Sequence, residues 1–416
     1  MQPNFATRRA LQLALVANAL KPPRGARTSI PAFFAGWLTD ELAPHLLTLT
    51  AADTAAHLLG RGPKSKAGLA LAGLSMAGLG ALIANSQKAR GVIETALTES
   101  IGTAYLDELA HPPSPKDLAT PWGQLALPFR LRDPEVRRDR NIAYAPGGKR
   151  FLLDVYRPRE PVTGAPVLLQ VHGGAWMIGD KDHQGLPLML QMAKRGWVCV
   201  AINYPLSPAA RWPAHIIAAK RALAWIHENI ATYGGDPAFV AATGGSAGGH
   251  LAALLALTQN DPTLQPGFTE ADTSVNACVP FYGVYDFAAT SGSRASKARL
   301  KTLITKHVFE PDRGPAEFLD DYLAASPLDR IIDEAPPFFV VHGERDTMVP
   351  VREAREFVRR LREKSRNPVA YAEIPGAQHA FETFSSIRGA HVVRGAERFL
   401  EWAYRTSPAS TGRSTG

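Results

Sequence analysis

Cysteine is nearly absent, with only Cys199 and Cys278 in 416 residues. Both fall in apolar runs of strand character, "WVCVAI" and "VNACVPFYG", so two buried free thiols are expected rather than a disulfide or a metal site. Nothing in that count demands an oxidising compartment. Massed charge is missing as well. The formal net charge is +8, but Lys and Arg are spread along the chain with no basic segment interleaved with aromatics. That excludes the usual nucleic-acid footprint and leaves a weak preference for anionic lipid surfaces as the use of the charge. Long apolar runs are scarce, and one alone reaches bilayer length. With 45% apolar and 20% charged residues, the chain has the composition of a globular protein that buries a core without staples.

The chain divides near residue 135. Residues 1–135 are rich in Ala and Leu at helical spacing and read as an N-terminal helical region, either membrane-associated or cap-forming. Residues 136–405 alternate short β-rich runs with amphipathic helices, and 406–416, ending "TGRSTG", read as a disordered tail. The one long run, Ala67 to Ala84, carries no charge and is flanked by Lys64, Lys66, Lys88 and Arg90. At 1.5 Å per residue it spans about 27 Å, close to a hydrocarbon core. About half of it is Gly or Ala, which add little insertion energy but let helices approach closely. A membrane-inserted or membrane-bound helix and a buried soluble helix both remain open. "TRRALQL" near the start faintly resembles a twin-arginine signal, but the apolar stretch after it is short and interrupted, so an amphipathic helix of the folded protein is expected there.

From residue 140 the sequence predicts strands at "RNIAYA", "FLLDVY", "PVLLQV", "VCVAIN", "FVAATG", "NACVPFYG", "PFFVVHG" and "VAYAEIP". Helices stand between most of them, and an irregular insert runs from about Asp286 to Asp329. Such alternation implies an α/β fold with a mostly parallel sheet covered on both faces, and ligands at its strand ends.

Between "FVAATG" and a helix lies "GGSAGGH". A Walker loop needs Lys and then Ser or Thr after its last glycine, where His250 and Leu251 stand, so a phosphate cradle is excluded. What fits is Gly-x-Ser-x-Gly over Gly244 to Gly248, which mounts Ser246 on a sharp strand-to-helix turn. A serine hydroxyl becomes nucleophilic only beside a base that a carboxylate orients. Asp346, in "HGERDTMVP", and His379, in "GAQHAF", follow in the order Ser, acid, His, each just after a strand. Glu344 is the alternative acid, and Glu382 reads as an ordinary helix or loop carboxylate. His250 is expected to bond a neighbouring segment, and His342 reads as structural. An oxyanion needs N–H donors: Ala247 is one candidate, and "VHGGAW" supplies Gly173, Gly174 and Ala175. His172 reads as a buttress of that loop, and Trp176 as pocket lining or core.

Together "HGGAW", "NYPLSPAARWPAH", "GGSAGG", "HGERDTMVP" and "QHAF" resemble the α/β-hydrolase superfamily, specifically bacterial esterases similar to hormone-sensitive lipase. The helical region in front resembles that of an actinobacterial subgroup. The resemblance covers about residues 135–405. It implies an α/β-hydrolase fold and a serine hydrolase that cleaves carboxylic esters through an acyl-enzyme, with Ser246 as nucleophile, His379 as base and Asp346 as acid. It implies no cofactor and no metal; the implied partner is a small-molecule ester, with lipid among the candidates, and no nucleic acid. Departures are Ala175 for a third glycine and Gly245 where relatives place Asp or Thr. Pro205 and Ala209 depart within "NYPLSPAA". A serine peptidase, an arylformamidase-like amidase, an acyltransferase and a noncatalytic binding module are the competing readings. Acyl length, oligomeric state and localisation are not legible.

Overall fold

The computed structural model describes residues 4–411 apart from 24, 26, 27, 61, 62 and 311. Eight strands form one sheet: β1 (Val136–Ala143), β2 (Leu152–Pro158), β3 (Ala165–Val171), β4 (Val198–Ile202), β5 (Gly235–Gly245), β6 (Ala277–Phe281), β7 (Phe338–Gly343) and β8 (Val369–Ile374). Their order is β1-β2-β4-β3-β5-β6-β7-β8. β2 runs antiparallel to both β1 and β4, and the remaining pairs are parallel.

β3, β4, β6 and β7 are buried along their whole length. That explains why they read as continuous apolar runs rather than as alternating ones. Alternation survives in three dimensions: Val167, Leu169 and Val171 face one core, whereas Leu168 faces the other. Helices Ala214–Asn229, Ala247–Leu257 and Arg352–Lys364 (α7, α8 and α9) fill the first side. Leu186–Lys194 and Ile387–Arg405 (α6 and α10) fill the second. Cys199 and Cys278 are free and buried, one on each side. The segment from Asp286 to Asp329, expected to be irregular, carries helix Arg294–Arg299, a wider helical stretch Leu300–Val308 and helix Leu319–Ala324.

Five long helices precede the sheet among the described residues: α1 (Phe5–Leu20), α2 (Ser29–Glu41), α3 (Ala43–Leu59), α4 (Lys66–Gln87) and α5 (Ala89–Ile101). The side chains of Asn4 and Ser65 accept backbone N–H groups at the starts of α1 and α4, satisfying donors that the helix cannot. α4 contains the run Ala67–Ala84, and Lys66–Ile101 is long and apolar enough to cross a membrane by length and composition. One face of α4 is nonetheless buried in the helical layer. Leu79 and Leu82 pack with Val16, Ala19 and Ala43, and a Cβ at Gly78 would collide with Val16. On that face the small residues Gly68, Ala72 and Gly78 serve close helix packing. α5 lies on the second core with Ile93 and Leu97 buried beside α10. Of the tail, Pro408–Thr411 forms one helical turn, and 412–416 lie outside the described residues.

Candidate active site

The loops after β3, β5, β7 and β8 converge at the carboxyl edge of the sheet. Ser246 sits between β5 and α8 with φ 58° and ψ −118°, a backbone state costing an L-residue about 1–3 kcal/mol. Its neighbours have to be small. A Cβ at Gly244 would stand 2.5 Å from the Val171 carbonyl oxygen and 2.6 Å from Gly248. The Ser246 N–H donates to the Phe281 carbonyl at 3.0 Å, which ties the turn to β6. Ala175, Trp176, Tyr282 and Ala380 also have positive φ, at 53°, 61°, 39° and 60°. Strain is therefore concentrated in the loops that meet at Ser246.

Asp346 and His379 are brought together directly: His379 Nδ1 donates to Asp346 Oδ2 at 2.6 Å. That bond fixes the tautomer and leaves Nε2 as the acceptor for a serine proton. The other oxygen, Oδ1, accepts the N–H groups of Met348 and Val349, each at 2.8 Å. Burial alone would raise the Asp346 carboxyl. The facing His379, aided by His342 at 3.4 Å, reverses this and holds it well below the usual carboxylate range. Asp346 is thus an anion at neutral pH. The Ser246 hydroxyl makes no hydrogen bond to His379 or to any other described residue; such bonds often tighten only when substrate is bound.

The other sequence candidates have separate occupations. Glu344 accepts the Gly376 N–H at 2.7 Å. His250, pushed down to about 3 by burial, donates from Nε2 to the Ala325 carbonyl at 2.7 Å. Trp176 is core, its Nε1–H donating to His250 Nδ1 at 3.3 Å. His172, neutral because burial pushes it down to about 4, donates from Nδ1 to the Gly173 carbonyl at 2.7 Å. Of the four expected oxyanion donors, Gly173 needs correction. Its N–H already donates to Gln184 Oε1 at 2.7 Å, because the Gln184 amide folds over the loop. The N–H groups of Gly174, Ala175 and Ala247 have no partner among the described residues, and Gly174 and Ala175 are only half-buried.

Two groups of side chains around His379 escaped the sequence reading. The first comes from α2: the Phe33 ring stands edge-on to His379, centroids 5.9 Å apart. Trp37 packs on Phe384, as does Phe129. The signal available was the aromatic spacing in "PAFFAGW", which places Phe33 and Trp37 one helical turn apart. α2 is fastened below by Arg388, whose Nη1 lies 2.8 Å from both Asp40 and Glu41, all three buried. It is fastened at its start by the Thr347 hydroxyl, which donates to the Ser29 carbonyl at 3.0 Å. The second group is Tyr282 and Glu382. The Tyr282 hydroxyl donates to Glu382 Oε1 at 2.5 Å, and its ring lies 4.4 Å from that of His379. Burial pushes the Glu382 carboxyl up to about 7, partly offset by that bond.

The BD-FAE family model matches residues 153–361. Among curated proteins, the chain is 50% identical over 279 residues to the probable carboxylic ester hydrolase LipM of Mycobacterium tuberculosis, covering 67% of this chain and 64% of that one. It is 42% identical over 380 residues to the esterase LipQ of the same organism, covering 89% and 84%. Among solved structures, Thermogutta terrifontis esterase 2 in its apo form superposes with a TM-score of 0.51 at 25% identity, over 65% of this chain and 94% of that one.

Proposed function

The chain belongs to the α/β-hydrolase carboxylic ester hydrolases similar to hormone-sensitive lipase, and on that premise we propose that Ser246, His379 and Asp346 are its catalytic triad. The observation that carries the assignment is the 2.6 Å bond between His379 and Asp346, set beside a serine held at positive φ. Ser246 Oγ attacks the ester carbonyl while His379 Nε2 takes its proton. The anion of Asp346 stabilises the imidazolium that results. The N–H groups of Gly174, Ala175 and Ala247 receive the carbonyl oxygen as it becomes an oxyanion, each such donor contributing about 10²–10³ in rate. His379 then protonates the departing alcohol, and water, deprotonated by the same imidazole, releases the acid and restores Ser246.

Residues 1–135 act in this reading as a cap: Phe33, Trp37 and Phe129 line the approach to His379, favouring apolar acyl or alcohol groups. The outward face of α4, with Ala70, Gly73, Leu74, Ala77, Ala81 and Ala84 exposed between Lys66 and Lys88, rests on an anionic bilayer. Peripheral contact suits this face better than spanning, because insertion would strip Leu79 and Leu82 of their partners in α1 and α3. The wild-type protein is expected to hydrolyse p-nitrophenyl acyl esters and to react with a fluorophosphonate probe, and Ser246→Ala to lose both. Labelling that survives in the variant would overturn the nucleophile. Co-sedimentation with phosphatidylglycerol vesicles, lost in high salt, tests the lipid surface; no binding at any salt would remove it.

A further inference from the structure

Position 245 is glycine, and the structure gives the reason. A Cβ at Gly245 would stand 2.6 Å from Tyr282 Oη and 2.9 Å from Cε2 and Cζ. The space that a side chain at 245 would occupy is filled by Tyr282, the residue directly after β6. That tyrosine is fully buried and holds φ 39°, unusual for a bulky residue. Its hydroxyl is anchored on Glu382, a buried carboxyl group whose second oxygen has no hydrogen-bond partner among the described residues. Burying such a group is costly, so a role in a plain core is a poor account of it.

His379 is held at Nδ1 by Asp346, on one side by the edge contact with Phe33, and on its face by Tyr282. The ring can still swing about its bond to the chain unless something stops the face. The geometry points to Tyr282 and Glu382 as positioning residues for His379: the glycine at 245 admits the Tyr282 ring, Glu382 locks its hydroxyl, and the locked ring keeps Nε2 aimed at Ser246. Neither touches substrate in this scheme, and Glu382 acts only through Tyr282. The inference rests on the proposed base role of His379.

The test uses the full chain with p-nitrophenyl butyrate, thermal melting alongside. Tyr282→Phe and Glu382→Leu should lower kcat about tenfold or more with KM within about twofold, since misplacing a base by an ångström costs up to about 10²-fold. Glu382→Gln should stay near wild type, because its amide oxygen still accepts from the Tyr282 hydroxyl. Gly245→Ala should also lower kcat, and combining it with Tyr282→Phe should cost less than the product of the two single losses. Multiplicative losses in that cycle, or wild-type kcat in both Tyr282→Phe and Glu382→Leu, would overturn the positioning role. Ser246→Ala separates the two levels. If it abolishes turnover while the Tyr282 and Glu382 variants keep wild-type kcat, the positioning inference alone fails; if it keeps turnover, the triad fails.

Discussion

Replacing Arg388 by Met should detach α2 from the catalytic loops in a way that depends on pH. The guanidinium is fully buried, with Asp40 and Glu41 both buried against it. Its Nε–H donates to the Pro375 carbonyl at 3.0 Å. Removing one partner of a buried ionic cluster costs about 3–5 kcal/mol. With an unfolding entropy of about 2.1 cal/mol/K per residue over 416 residues, that is about 3–6 °C in Tm. Burial raises Asp40 to about 7, the attraction of Arg388 offsetting only part of the rise. A carboxyl raised in the folded state keeps a proton that the unfolded chain has released, so its cost to stability grows as pH rises from about 4 to about 7. Without Arg388 that cost extends further upward. The deficit of Arg388→Met should therefore be small near pH 5, where Asp40 is protonated, and clearly larger at pH 8. Denaturant melts at the two pH values measure it. Esterase activity should fall with it at pH 8, because α2 carries Phe33 to His379. Converting all three residues together, Asp40→Leu, Glu41→Leu and Arg388→Met, should restore most of the stability. A deficit equal at both pH values, or below about 1 kcal/mol at pH 8, would refute the reasoning.

Other outcomes follow from the same geometry. Gly174 has φ 119°, and a Cβ there would run into the Ile178 carbonyl; Gly174→Ala should lower kcat by about 10²–10³ with little change in KM, read from ester hydrolysis at saturating substrate. A kcat within about threefold of wild type would remove this loop from the oxyanion site. Asp346→Asn should lower kcat by about 10³–10⁴, as loss of an orienting anion does. Because the folded-state carboxyl of Asp346 is depressed, its stabilising contribution is present above about pH 4 and lost as pH falls below it. The Asn variant should accordingly show a flatter acid limb in unfolding titrations, and an unchanged limb would count against the assignment.

The parts of the fold legible in the sequence are those set by local composition. β3, β4, β6 and β7 lie between two helical layers, so nearly every position is apolar, with Gln170 and His342 the polar exceptions, and the runs stand out. Ser246, Asp346 and His379 each stand at or shortly after the end of a strand, β5, β7 and β8 respectively. What escaped depends on segments distant in the chain. Nothing near Gly173 signals that Gln184 takes its N–H, because the amide arrives by the path of the intervening loop. Phe33 and His379 meet through the docking of α2, and the residues that fasten it, Asp40, Glu41 and Arg388, look like ordinary surface charges in a linear reading. Gly245 is an unexplained departure in the sequence for the same reason: its partner Tyr282 comes from the bend after the neighbouring strand β6. Glu382 reads as an ordinary helix or loop carboxylate, and only its burial beside Tyr282 gives it another character. The insert from Asp286 to Asp329 shows the reverse error, since short helices with weak spacing pass for irregular chain.

The segment 375–386, between β8 and α10, holds His379, Glu382 and Phe384, and Arg388 follows in the first turn of α10. The proposed base, its proposed positioning partner, an aromatic packed on α2 and the arginine that fastens α2 thus share one short connection and the helix turn that follows it. Adding or deleting a single residue there would displace all four at once. Variation in chain length has to be absorbed elsewhere, and the outer helices α1–α4 and the insert before β7 are the places with room for it. Diversification of substrate preference in such a protein would accordingly proceed by exchanging its periphery around a connection of fixed length.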